Sequence, residues 1–318
     1  MSIESLARRV AADASDAKAV FDLLRHRARI EGPSVYLECL ADVDAWKAAP
    51  LALKIRAGLE IHQRLDGFGM HEELRVWECD NLNEHLEPET ISHQLATFTH
   101  KATGIEFQLL PGKKGEVVEE LEGVKLDIPG WEASNVTLSE KAIKPFLIAR
   151  WPVTKDQCAK MKYHVFTTGP EPRVDIPFNM AALHCKQRGM RLPTAQEWTY
   201  ACKAGTSTRF YWGDEMDDSH CWHAGNSPLS PVAGIGCREP RSHPPKTHDD
   251  AGKYNAFGLV DCYGGVFEWL SGGSIQGGSY ASSEQLIESA SYRHQAFDIE
   301  NDFDQIGFRP AVSIPGKD

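Results

Sequence analysis

Between Gly277 and Ala311 the chain reads GGSYASSEQLIESASYRHQAFDIENDFDQIGFRPA. Ser282, Ser283 and His294 lie here beside Glu284, Asp298, Asp302 and Asp304, the residue types that could supply a nucleophile, a base and an orienting acid. A serine triad needs those groups within hydrogen-bond reach, and nothing in the spacing predicts it. No nucleophile elbow surrounds either serine. The segment reads instead as a polar loop, with Gln285 and Asn301 among its hydrogen-bonding side chains and two aromatic residues, Tyr292 and Phe297. Rigid aromatic anchors set among adaptable polar groups suit a loop-borne binding surface.

Thiols are the second candidate chemistry. Cys39, Cys79, Cys158, Cys185, Cys202, Cys221, Cys237 and Cys262 are spread along the chain, and none follows Cys262. No two stand in a CxxC pair, so a zinc ribbon or thioredoxin motif has no support. Reduced and buried as small hydrophobes is the expected state of each.

These residues need a frame. The 318 residues are 42% hydrophobic and 25% charged, which suits one large globular domain or two ordinary ones. A net charge of −11 disfavours nucleic acid and anionic membrane surfaces as partners, and leaves a protein or a small molecule. The first residues lack a secretory signal and no stretch approaches a membrane span, so the cytoplasm is the expected compartment.

The first ninety or so residues carry a helical period: Ile3, Leu6 and Val10 on one face, then Val20, Leu23, Leu24 and Ile30. SVYLECLADVDAWKAA and LALKIRAGLEIHQRL follow, separated at Pro50. Near Thr97 the character changes. GIEFQLLPG and KPFLIARWPVT read as strands. Thr154 with Gln157, and Thr194 with Glu197, have the spacing of capping boxes, and PFNMAALHCKQRGM reads as a helix closed by Gly189. After Gly205 some fifty residues are loop-rich, held by ligands or by packing of Phe210, Tyr211, Trp212 and Trp222. The composition break suggests two regions with separate cores, 1–95 and 96–318.

GIEFQLLPG, PFLIARWPVT, RLPTAQEWTYACKAG, FYWGDE, YNAFGLVDCYGGVFEW, GGSY and GFRPA occur in the order seen in the formylglycine-generating enzyme family, which the chain resembles over roughly residues 97–313. The resemblance implies an α+β, C-type lectin-like domain with low regular secondary structure, here preceded by a small helical region. It leaves the reaction open, because the family includes copper oxidases, iron sulfoxide synthases and non-catalytic variable proteins diversified by retroelements.

The copper oxidases hold their metal with two thiolates a few residues after GGSY. Those positions fall near Ser282 and Ile287, neither of which can replace a thiolate toward Cu(I). The expectation is therefore no copper and no formylglycine generation. His26, His62, His71, His85, His93 and His100 lack the paired His-x-x-x-His spacing of the iron enzymes. DCYGGVFEW resembles the family block that wraps a structural calcium, and the resemblance implies Asp261, Gly264, Val266 and Glu268 as oxygen ligands. The alternative is a capped turn with Glu268 paired to an arginine. Trp151, Trp198, Trp212 and Trp269 are expected in the core and Arg309 as a buried structural guanidinium. Trp222, in the long loop, is the candidate ligand contact.

The leading expectation is a non-catalytic binding protein using residues 281–305. A metal-dependent oxidoreductase and an accessory domain of a larger assembly are the alternatives. In the diversified relatives this segment carries the variable positions. Diversified asparagine codons do not yield Glu or Gln, so Glu284, Gln285, Glu288, Gln295, Glu300 and Gln305 would be fixed.

Overall fold

The computed structural model describes residues 39–82, 88–115, 142–161, 168–227, 253–288, 294–295 and 305–315, with a few positions before residue 23. Ile3, Leu6, Val10, Leu23, Leu24 and Ile30 lie outside the described residues.

Two helices open the described chain. Helix α1 (Val43–Ala48) is capped by the Asp42 side chain, which accepts from the Ala45 amide. Pro50 ends it and starts α2 (Leu51–His62), because proline suits a helix start and not its interior. Strand β1 (Phe68–Met70) follows, then the hairpin β2 (Arg75–Asn81) and β3 (Glu89–Leu95). Residues 39–95 are thus not a purely helical region.

The main sheet is antiparallel throughout. Its order is β1, β4 (Thr97–His100), β5 (Ile105–Leu110), β6 (Phe146–Ala149) and β11 (Ala311–Ser313). Both expected strands lie here, and β6 is buried at all four positions. Three helices cover the next stretch: α3 (Lys155–Lys160), α4 (Phe178–Lys186) and α5 (Ala195–Lys203). Thr154 with Gln157 and Thr194 with Glu197 form complete capping boxes.

A second, smaller sheet carries the candidate site. Its order is β10 (Ile306–Gly307), β7 (Phe267–Trp269), β8 (Ser274–Gln276) and β9 (His294–Gln295). Strands β10 and β7 run parallel and the other pairs antiparallel. A five-residue helix, α6 (Glu284–Glu288), lies between β8 and β9.

The boundary at residue 95 is not a core boundary. Strand β1 pairs with β4 across it, Phe68 opposite His100. The His71 amide donates to the Thr97 carbonyl at 2.9 Å, and the Gly112 amide to the Leu40 carbonyl at 2.8 Å. Trp46, Ile55, Leu95, Phe107, Trp198 and Phe308 belong to one contiguous hydrophobic core. A β-pairing satisfies backbone groups that neither region could bury alone, and this outweighs the change in composition.

Candidate functional site

The long loop after α5 is held by its aromatics. Phe210 and Trp212 stack with ring centres 4.7 Å apart, and Tyr263 packs edge-on against Phe210. Tyr211 is buried and its hydroxyl donates to the Lys253 carbonyl at 3.0 Å. This frame brings Trp222 beside the turn at Gly264 and Gly265. The Trp222 carbonyl accepts from the Gly265 amide at 2.8 Å. A Cβ on Gly264 would stand 2.1 Å from that carbonyl oxygen, and the residue has φ +67°, so only glycine fits there.

The root of the 281–305 segment is a hydrogen-bonded knot. Ser279 is fully buried and its hydroxyl donates to Gln305 at 2.6 Å, which ties the two ends of the segment together. The Ser282 hydroxyl accepts from the Ser279 amide at 2.9 Å, and the Ser282 carbonyl accepts from the Ala224 amide at 2.9 Å. Ser282 is 4% exposed. It is a residue of the knot, and the expectation that it contacts a ligand is corrected accordingly.

Helix α6 divides its residues cleanly. Glu284 and Gln285, with Ser283 just before the helix, face outward, while Leu286 and Ile287 face the core. A Cβ placed on Gly278 would lie 3.0 Å from Ile287 Cγ1 and 3.7 Å from the Ser282 hydroxyl. The two positions expected near the copper thiolates therefore converge on one point, and they hold a methyl-bearing chain and a hydrogen-bonded hydroxyl. His294 is placed by its backbone, in β9 opposite Ile275. Tyr292, Phe297, Asp298, Asn301, Asp302 and Asp304 lie outside the described residues.

Beside this surface stands an arrangement that sequence reasoning missed. The His223 imidazole is 2% exposed, meets the Asp218 carboxylate at 2.7 Å and accepts from the Gly225 amide at 3.1 Å. An amide donor on Nδ1 places the imidazole proton on Nε2, facing Asp218. His220 stacks on Trp212, ring centres 4.6 Å apart, and meets Asp217 at 3.1 Å. The signal was the run DDSHCWH, two acids followed by two histidines.

Two of the four residues expected around calcium, Asp261 and Glu268, meet a different cation. Arg309 is fully buried, and its guanidinium meets Glu268 Oε1 and Oε2, each at 2.7 Å. It also donates to the carbonyls of Ala149, Arg150, Val260 and Asp261. Trp198 adds an indole N–H to Glu268 Oε2 at 2.7 Å. Both oxygens of Glu268 thus accept from buried donors that a metal ion would have to displace, and the Asp261 carbonyl faces the guanidinium too. Gly264 is engaged through its amide with the Gly277 carbonyl, and Val266 is buried. As placed, Glu268 does not fit a calcium ligand. The guanidinium suits Glu268 because its planar fork matches a carboxylate in two bonds and brings further donors for carbonyls. Among the described residues no group of three or more His, Cys, Asp and Glu side chains could hold a metal ion.

Five of the thiols are equally removed from chemistry. Burial pushes Cys79 and Cys158 up to about 11, and pushes Cys185, Cys202 and Cys221 higher still. These five are protonated at neutral pH and inert as nucleophiles.

The sulfatase-modifying factor enzyme 1-like domain matches residues 113–314, well over half of the chain. This protein belongs to that family. Its fold class follows: a mixed helix and sheet domain of C-type lectin-like type with little regular secondary structure. Mouse formylglycine-generating enzyme is 30% identical over 106 residues, covering 31% of this chain and 27% of that protein. The bovine protein named inactive C-alpha-formylglycine-generating enzyme 2 is 32% identical over 106 residues, covering 31% of this chain and 32% of that protein. The chain spans about a third or less of the length of these curated relatives. Among solved structures, Treponema denticola variable protein 1 has a TM-score of 0.46 at 19% identity, covering 69% of this chain and 98% of that one. Among the described residues no helix is long and apolar enough to cross a membrane.

Proposed function

We propose that this member of the family is a non-catalytic binding protein whose recognition surface is the 281–305 segment with the adjoining loop at Trp222. One observation carries the reading. The two side chains that converge on Gly278 are Ser282 and Ile287, one tied into a hydrogen-bonded knot and the other buried, so the scaffold is kept while Cu(I) has no soft ligand there. Family membership leaves the reaction open, since one relative at similar identity is itself named inactive. The outward side of α6, with Ser283, Glu284 and Gln285, stands on a rigid root, which is how loops gain specificity at low ordering cost. Gln305 belongs to that root through Ser279, in keeping with a fixed frame position. The ligand is a protein or a small molecule.

The test has two arms. A cysteine-containing peptide with a sulfatase sequence is incubated with the purified chain and Cu(I), and the expected formylglycine is none. Aldehyde formation above the copper-only control overturns the reading. In parallel, partners retained by the parent chain are compared with those retained by a Glu284→Ala, Gln285→Ala variant. Equal retention of every partner sinks the assignment of the surface.

A further inference from the structure

In the loop between α5 and the Gly264 turn, one histidine has both ring nitrogens engaged. The buried His223 imidazole donates from Nε2 to Asp218 Oδ1 at 2.7 Å, and its Nδ1 accepts from the Gly225 amide at 3.1 Å. A backbone N–H can only donate, so Nδ1 offers a lone pair there and the ring is held in its neutral form. The fit is close, since a Cβ on Gly225 would stand 2.7 Å from His223 Cε1. Asp218 is largely exposed, so the pair meets water along that side.

The same turn is tied by a small network. The His223 amide donates to Asn226 Oδ1 at 2.8 Å, and the Ser227 amide to the His223 carbonyl at 2.8 Å. The Asn226 side-chain amide donates to the carbonyls of Cys221 at 2.8 Å and Asp218 at 3.2 Å. Between the ring and Gly225 lies Ala224, whose amide donates to the Ser282 carbonyl at 2.9 Å. Ser282 belongs to the knot through the Ser279 amide. The shape of residues 223–225 therefore decides how the loop grips the root of the 281–305 segment.

We propose that His223 is an acid-operated latch: a second proton on its ring opens the turn at Gly225 and releases the Ala224 amide from Ser282. Nε2 already carries a proton, so the second one goes to Nδ1. There it faces the Gly225 N–H, donor against donor, with no lone pair left between them. The amide must turn away, and glycine permits the rotation. Asp218 remains the partner of the charged ring, so the loop changes shape without losing its anchor. The other charged groups of this region are Asp217, paired with His220 at 3.1 Å in the same loop, Glu284 on α6, Asp261 before the Gly264 turn, and Lys253, which bears on Asp217. A histidine that switches a contact by gaining a proton is a common pH sensor.

The latch goes beyond the binding reading, and a measurement without any ligand keeps the two apart. Amide hydrogen exchange is followed in the full chain, with rates corrected for the intrinsic effect of pH. The Ala224 amide should be protected at about pH 8 and lose that protection at about pH 5. The Leu109 amide, bonded to the Ala96 carbonyl in the main sheet, should keep its own. In His223→Asn the side-chain oxygen can accept from the Gly225 amide without titrating, so Ala224 should stay protected at both values. Unchanged protection of Ala224 in the parent chain, or an equal loss in His223→Asn, overturns the latch. Should His223→Asn fail to fold, the His223 ring and the Ala224 amide are followed together by NMR in the parent chain. They should titrate with one midpoint, and separate midpoints overturn the proposal.

Discussion

Two residues set the chemistry of the buried centre, Glu268 and Arg309. The pair has no exposure, and removing one partner leaves the other as an uncompensated buried charge. Glu268→Gln should therefore cost about 3–5 kcal/mol in urea denaturation. The double change Glu268→Gln, Arg309→Met should cost less than the sum of the single ones, since it removes both charges. A loss below about 1 kcal/mol for Glu268→Gln would show that the pair is not what holds this centre. His93 makes a second prediction at this scale. Burial and then Lys47 lower it from 6.5 to about 4. The folded chain thus takes up this proton less readily than the unfolded chain. The contribution is complete above pH 6.5 and is lost as the pH falls toward 4, by about 3 kcal/mol in all. Urea midpoints measured between pH 7 and 4 should show this fall, and His93→Leu should flatten it. An unchanged slope in His93→Leu would assign the acid sensitivity to other groups.

At the scale of elements, local signals were legible and distant pairings were not. The two capping boxes, the strands at Ile105 and Phe146 and the helix stop at Gly189 all rest on residues a few positions apart. The hairpin β2–β3 escaped notice because its inward positions are partly polar. Along β2 the buried residues are Trp77, Cys79 and Asn81, and along β3 they are Ile91, His93 and Leu95. Asn81 is accommodated by hydrogen bonds to Thr208 at 2.7 Å and to the Tyr211 carbonyl at 3.1 Å, partners far along the chain. A period of two with Asn and His inside it does not announce a buried face. The surroundings of Glu268 were hidden for a related reason, since the arginine that pairs with it lies 41 positions away. These pairings also decide what happens on truncation. A fragment comprising 96–318 loses β1 and the cover of α1, α2 and the hairpin, and it exposes the edge of β4. It should be unfolded or aggregated by circular dichroism and sedimentation, and residues 1–95 added in trans should restore folding. A monomeric fragment with a cooperative melt would show that the core is divisible after all.

For the whole molecule, the fold acts as a frame and the function rests on what the frame leaves outside. The Glu268–Arg309 centre and most of the main sheet are buried, while the outer side of α6 and the acidic pair Asp217 and Asp218 face solvent beside one root. A surface of this kind can change its side chains without disturbing the core, because outward substitutions remove no buried contact. Replacing Glu284 and Gln285 by alanine should therefore shift stability by no more than about 0.5 kcal/mol. The same pair should weaken capture of a partner recovered from cell extract, and Tyr292→Ala or Phe297→Ala should weaken it further, as aromatic anchors do. Gly278→Ala supplies the opposite case. Its new methyl would stand 3.0 Å from Ile287 Cγ1, at a residue with φ +77°, so it should lower the melting temperature first. Binding loss in the frame variant should then follow the fraction unfolded, whereas in the surface variants it should occur in fully folded protein. Measuring capture and melting on the same samples separates these behaviours. If the alanine pair unfolds the chain, or if folded surface variants keep every partner, the segment is part of the scaffold and recognition must lie elsewhere on the molecule.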